Sequence, residues 1–148
     1  DRLKELEQSL ILVCVGNTRD APVLAKKQVL AIPQNHDVLE ELVALAKAGR
    51  DVLLNPIYPL SLLGGMLDKA WKAKVLLCPA VTTPEINTLY IHGLHCGATG
   101  GKLIGAGGGG FLLFFVPVEN QTMFKAKISA PCIALRTVDT GSHVVPLI

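Results

Sequence analysis

Apolar positions along this chain fall either into unbroken runs or into stripes of three- and four-residue spacing, and the two spacings separate strands from helices. Leu10-Ile11-Leu12-Val13-Cys14-Val15 and Phe111-Leu112-Leu113-Phe114-Phe115-Val116 are continuous runs, each of a length that suits a strand inside a sheet. Gly16-Asn17 turns the first run into a loop. Ala21-Pro22 then fits the first turn of a helix, with Asp20 as a cap. From Asp37 to Leu54 the residues Leu39, Leu42, Val43, Ala46 and Leu53 form a stripe, and Glu40, Glu41, Lys47 and Arg50 occupy the opposite face. The spacing predicts an amphipathic helix, stopped by Asn55-Pro56. A second helix is expected from about Leu60 to Leu77, with Trp71 on its apolar side as a core residue rather than a base-stacking platform, and with Cys78-Pro79 as its terminator.

Thr83-Pro84-Glu85 supplies a cap, a proline at the first helical position and an acid in the first turn, and Gly97 closes that third helix. Beyond the second run, Glu119 to Ser129 reads as a helix with Met123, Phe124 and Ile128 inward, broken by Pro131. Cys132 to Leu135 and Val144 to Ile148 read as closing strands around a turn at Asp139-Thr140-Gly141-Ser142. Strand, helices, strand, strand, helix, strand is the order of a split β-α-β sandwich. The expectation is therefore an α+β, ferredoxin-like antiparallel sheet with helices on one face and extra helices inserted, as a single domain over residues 1–148.

The segment between the third helix and the second run is where chemistry concentrates. Eight of the 14 glycines lie between Gly97 and Gly110. Such a cluster persists where the backbone needs positive φ or a very close approach. Gly105-x-Gly107-x-x-Gly110 matches the dinucleotide fingerprint in letters, but a strand follows where that motif needs a helix, and no acid stands about 20 residues downstream for the ribose. A phosphate loop of the form G-x-x-x-x-G-K-[ST] fails as well, since Gly101-Lys102 runs into Leu103. A tight hairpin needing only room remains as the plain alternative.

Composition narrows the classes further. At 148 residues and 50% hydrophobic, the chain can bury a real core. Its longest apolar run, Phe111 to Val118, is too short to span a bilayer, and the opening residues are too charged for a signal peptide. A net charge of +2 with 5% aromatics points to neither nucleic acid nor a membrane surface. Cys14, Cys78, Cys96 and Cys132 are widely spaced without a C-x-x-C, which suits free thiols in a reducing cytoplasm, Cys14 and Cys132 as small core residues. His92, His95 and Cys96 share a helix face at i, i+3 and i+4, but no fourth ligand accompanies them; histidines favoured by a helix C-terminus are the better reading, and no metal site is expected.

The stretch Gly97-Ala98-x-Gly100-Gly101-Lys102-Leu103-x-Gly105-Ala106-Gly107-Gly108-Gly109-Gly110-Phe111 resembles the C-terminal signature of the GHMP kinase superfamily. Gly16-Asn17-Thr18-Arg19, Ala70-Trp71-Lys72-x-Lys74, Pro84-Glu85-Ile86-x-x-Leu89-Tyr90 and Asp139-x-Gly141-Ser142 extend the likeness over essentially the whole chain, toward the heptose 7-phosphate kinase branch first and the L-fucokinases next. The resemblance implies the acceptor-side, C-terminal domain of an ATP-dependent kinase that phosphorylates the anomeric hydroxyl of a sugar or sugar phosphate.

It implies that Gly105, Ala106, Gly107, Gly108, Gly109 and Gly110 pack against a nucleotide phosphate loop and line the cleft. Arg19 and Lys102 become the candidate substrate-binding cations, each also readable as a solvated charge. It implies ATP and Mg²⁺ as cofactors, held mainly by an N-terminal part whose lysine signature, phosphate loop, metal ligands and aspartate do not occur in these residues. No catalytic residue is expected in this chain, which by itself should be inert as a kinase. Its partners would be that N-terminal part and the sugar, with a homodimer left open. The rival class is a non-catalytic ferredoxin-like module that binds a ligand or dimerises.

Overall fold

A computed structural model describes residues 2–16, 21–138 and 141. Helix α1 (Arg2–Ser9) leads into strand β1 (Leu10–Cys14), and helices α2 (Ala21–Ala31), α3 (His36–Leu54), α4 (Leu62–Leu77) and α5 (Pro84–His95) follow. Strands β2 (Gly100–Leu103) and β3 (Phe111–Phe115) form the hairpin around the glycines, and α6 (Gln121–Lys127) and β4 (Cys132–Ala134) complete the described elements. All pairings are antiparallel and the strand order is β2-β3-β1-β4, the order of a split β-α-β sandwich. The expected α+β architecture is the observed one. Arg19, the Asp20 cap, the turn around Asp139 and Ser142, and the closing strand at Val144 to Ile148 lie outside the described residues.

Register explains which run faces where. Ile11 stands opposite Phe114 and Val13 opposite Leu112, and all four are buried. This face carries the main core. Tyr90 stacks on Phe114 at 5.8 Å between ring centroids, Phe124 meets Phe114 edge-on at 5.5 Å, and Trp71 lies 6.3 Å from Tyr90. Trp71 is thus a core residue, as its place in the helical stripe predicts. The hydroxyl of Thr83 accepts the N–H of Ile86, so the expected cap of α5 is formed, and Gly97 takes φ of +107° just beyond that helix.

Four expectations need correction. Helices do not keep to one face: Phe115 points away from Phe114 and gathers Val52 and Leu60, with Leu6, Leu63 and Met66 around them. Val43, Ala46 and Leu53 of α3 are exposed, and Val52 is its one buried residue among those described. That helix lies against α4 rather than across the sheet, so one narrow line of its stripe finds a partner. Met123 is 40% exposed, because Phe124 and Ile128 already fill the space beneath the seven-residue α6. Cys14 and Cys132 are half-buried at the core margin, and all four thiols are free.

Helix α1 was not legible, being short and largely polar; Arg2 fastens it by donating to the carbonyls of Leu53 and Tyr58 at 3.1 and 2.7 Å. Among the described residues no helix is long and apolar enough to cross a membrane.

Candidate functional site

The glycine loop begins where the β2-β3 ladder ends, with the N–H of Ile104 donating to Phe111 O at 3.0 Å. Gly105, Gly107, Gly108 and Gly110 take φ of +80°, +115°, +74° and +93°, a region that L side chains rarely enter. No non-glycine residue among those described has positive φ, so Ala106 breaks the series with the opposite sign. Close approach is required at Gly107. A Cβ on Gly107 would stand 2.7 Å from Val81 Cβ and 2.9 Å from Val81 O, whereas one on Gly105 or Gly110 would meet nothing within 4 Å.

Four elements grip this loop by its backbone. Lys74 Nζ on α4 donates to Gly105 O at 2.6 Å, and Gln28 Nε2 on α2 donates to Ala106 O at 2.8 Å. Val15 N–H, just past β1, donates to Gly110 O at 2.9 Å, and Gly108 N–H donates to Val81 O at 2.7 Å. The loop is therefore a fixed shape, not a slack connection. Among the described residues the N–H groups of Gly105, Ala106, Gly107 and Gly109 meet no acceptor.

Two lysines stand beside the loop. Burial first, and the charge of Lys102 second, hold the ammonium of Lys74 below the usual lysine range. Lys102, half-buried on β2, lines a crevice of about 480 Å³ with Met66, Ala70 and Leu113 and makes no ion pair among the described residues. A pair of mutually repelling cations near unmatched N–H groups suits an anion. Among the described residues no carboxylate pairs with Lys74 or Lys102, so this set of N–H and ammonium donors fits phosphate oxygens rather than Mg²⁺, which needs oxygen ligands.

Gly105, Ala106, Gly107, Gly108, Gly109 and Gly110 thus form one loop held in part by Lys74, and Lys102 lines the neighbouring crevice, from which its charge acts on Lys74. Arg19 lies outside the described residues, although α2, which opens at Ala21, reaches the loop through Gln28. Lys74 and Gln28 are the contributors that sequence reasoning missed. A signal for Lys74 was present, since it stands three residues after the buried Trp71 and so places a cation on the inner face of its helix. Gln28 had none, because its partner is 78 residues away.

Two other clusters are structural. Tyr90 Oη donates to Asp68 Oδ1 at 2.6 Å, and Lys72 Nζ pairs with Asp68 Oδ2 at 2.8 Å. Burial opposes the Asp68 charge, but the bonds from Lys72 and Tyr90 outweigh it and keep the carboxyl below its usual range; burial and Asp68 together drive the Tyr90 hydroxyl upward. His92 Nε2 lies 2.9 Å from Lys127 O and 3.6 Å from Cys96 Sγ, while His95 is exposed. Among the described residues the side chains that close on one point are His36, Asp37 and Glu40, all solvent-exposed at the start of α3.

The antiparallel sheet with its helices and the glycine loop at its hairpin define a domain class, a ferredoxin-like α+β domain, and comparison with solved structures agrees on the fold. No family model matches the chain. Over 115 residues it is 33% identical to a bifunctional fucokinase/GDP-fucose pyrophosphorylase of Arabidopsis thaliana, covering 75% of this chain and 11% of that protein. Over 125 residues it is 29% identical to the D-glycero-alpha-D-manno-heptose 7-phosphate kinase of Campylobacter jejuni, covering 82% of this chain and 36% of that enzyme.

Among solved structures, the L. major mevalonate kinase in complex with R-mevalonate superposes with a TM-score of 0.68 at 19% identity, over 81% of this chain and 38% of the other. The Methanococcus jannaschii mevalonate kinase gives 0.67 at 20%, over 90% and 41%. In sequence and in fold the chain resembles the C-terminal domain of the GHMP kinases. It spans about a third or less of the length of the curated relatives it matches.

Proposed function

We propose that this chain is the acceptor-side domain of an ATP-dependent sugar kinase, one that phosphorylates the anomeric hydroxyl of a sugar or sugar phosphate of the heptose 7-phosphate or L-fucose type. The observation that supports it most is the glycine loop, gripped from within by Lys74 and Gln28 while the N–H groups of Gly105, Ala106, Gly107 and Gly109 meet no acceptor and Lys102 makes no ion pair among the described residues. Phosphoryl transfer depends on positioning and on stabilising charge, and such a loop supplies both. ATP, when bound, provides the transferred phosphoryl group. In this reading Ala106 and Gly107 present donors to phosphate oxygens, Lys102 and Lys74 lend charge, and Arg19 is a further candidate for gripping the sugar. Mg²⁺ ligands and the group that takes the proton from the acceptor hydroxyl belong to an N-terminal domain.

Gly105 and Gly110 add a second line of support. Each keeps positive φ although this chain leaves open space around it, which is where a phosphate loop of that N-terminal domain would pack. The experiment is ATP turnover with D-glycero-D-manno-heptose 7-phosphate and with L-fucose, using the chain together with its N-terminal half. Turnover of either sugar supports the kinase, and small-ligand binding by the chain without turnover in the pair indicates a binding module. In the active pair, Gly110→Ala should lower kcat/KM at a temperature where the variant remains folded; unchanged turnover would make the loop structural punctuation only.

A further inference from the structure

We propose that Lys74 and Gln28 are positioning residues that set the glycine loop for phosphate, by drawing the carbonyl groups of Gly105 and Ala106 into the domain and leaving the N–H groups of Ala106 and Gly107 to the ligand. This rests on the phosphotransferase reading above. A peptide group is planar and trans, so its C=O and N–H point in opposite directions. None of the described peptide bonds is cis. When Lys74 holds Gly105 O at 2.6 Å, the N–H of Ala106 must point away from α4. When Gln28 holds Ala106 O at 2.8 Å, the N–H of Gly107 must point away from α2.

The sign of φ alternates through Gly105, Ala106 and Gly107, as it does where successive N–H groups line an anion-binding nest. Gly108 bounds the nest, because its N–H is taken by Val81 O. Without the two side chains these peptides are free to rotate, since glycine on either side of Ala106 imposes almost no barrier. The ligand is a phosphate group, borne by the nucleotide or by the sugar, and the nest recognises what the two have in common.

The test is ¹⁵N–¹H spectroscopy of the 148-residue chain during titration with inorganic phosphate and with tripolyphosphate. Ala106 and Gly107 amides should shift saturably and Gly108 should not. Gln28→Met removes a donor without changing charge, and Lys74→Met removes a donor and a charge. Each should weaken the phosphate response about tenfold with an unchanged melting temperature, as the loss of one charge-linked hydrogen bond implies. Lys74→Arg should restore it. Should Lys74→Met fail to fold, Gln28→Met carries the test by itself.

A wild-type response persisting in folded Gln28→Met, or wild-type amides indifferent to phosphate, would overturn the inference. In the chain paired with its N-terminal half, Gln28→Met should raise KM for ATP if the nest holds a nucleotide phosphate, and for the sugar phosphate if it holds that one. Turnover by the pair with amides that ignore phosphate removes this inference and leaves the kinase; a phosphate response lost in Gln28→Met without turnover keeps the nest and removes the kinase.

Discussion

Gly105 and Gly107 share a sign of φ but differ in what surrounds them, and that difference has a measurable consequence. Gly105→Ala meets only backbone strain, on the order of 1–2 kcal/mol, since its Cβ enters open space. Gly107→Ala meets similar strain and must also displace Val81, whose backbone oxygen would stand 2.9 Å from the new carbon. Chemical denaturation should therefore place Gly107→Ala below Gly105→Ala by at least about 1 kcal/mol, the usual cost of overpacking. Equal losses would mean that Val81 yields freely.

Asp68 makes the residue-scale case for pH. Its folded carboxyl titrates below the usual aspartate range, so it contributes stability above that range and loses it as pH falls through the depressed folded value. Wild type should lose stability between about pH 4 and the folded titration point, and Asp68→Asn should flatten that acid limb. An acid limb of undiminished slope in Asp68→Asn would assign the effect to other carboxylates.

At the scale of elements, the approach of α4 to β2 depends on the absence of side chains. A Cβ on Gly100 would fall 1.9 Å from Gly64 O, and one on Gly64 would fall 2.1 Å from Thr99 Oγ1. At Gly100 the obstacle is backbone, which has no flexible side chain's freedom to give way, and at Gly64 it is the Thr99 side chain. Gly100→Ala should push α4 from the sheet edge, taking with it the Lys74 grip on the loop, and should cost at least 3 kcal/mol, roughly the upper range for overpacking. The check is a thermal melt, with the Lys74-dependent phosphate response as a second readout; a native melting temperature would show that the helix can slide. Helix α2 shows the opposite condition. Val29 and Leu30 are 62% and 67% exposed on a helix whose one buried residue among those described is Leu24, so the element that supplies Gln28 has little of its own core to hold it.

For the whole molecule, the consequence concerns what the chain can do unaided. A nest of a few hydrogen bonds with lysines nearby would support roughly millimolar affinity for a phosphate group and not a nucleotide held at micromolar concentration. Calorimetry on the isolated chain with ATP and Mg²⁺ should give no saturable micromolar binding. Heat that saturates in the micromolar range would mean that these 148 residues hold more of the nucleotide site than the glycine loop.

What the sequence determined by itself was whatever depends on neighbours close along the chain. Runs such as Leu10 to Val15 and Phe111 to Val116 become strands because continuous apolar stretches need burial, and Thr83-Pro84-Glu85 starts α5 through bonds made within one turn. The glycine loop was legible for the same reason, since positive φ is a local demand. Tertiary structure alone decided which side chains serve that loop. Gln28 and Lys74 stand 78 and 31 residues from the carbonyls they hold, and no spacing in the chain encodes a contact that exists only once α2 and α4 have closed on the sheet. It also decided that Val43 and Leu53 face solvent, because periodicity tells which residues share a helix face but not whether another element arrives to cover it.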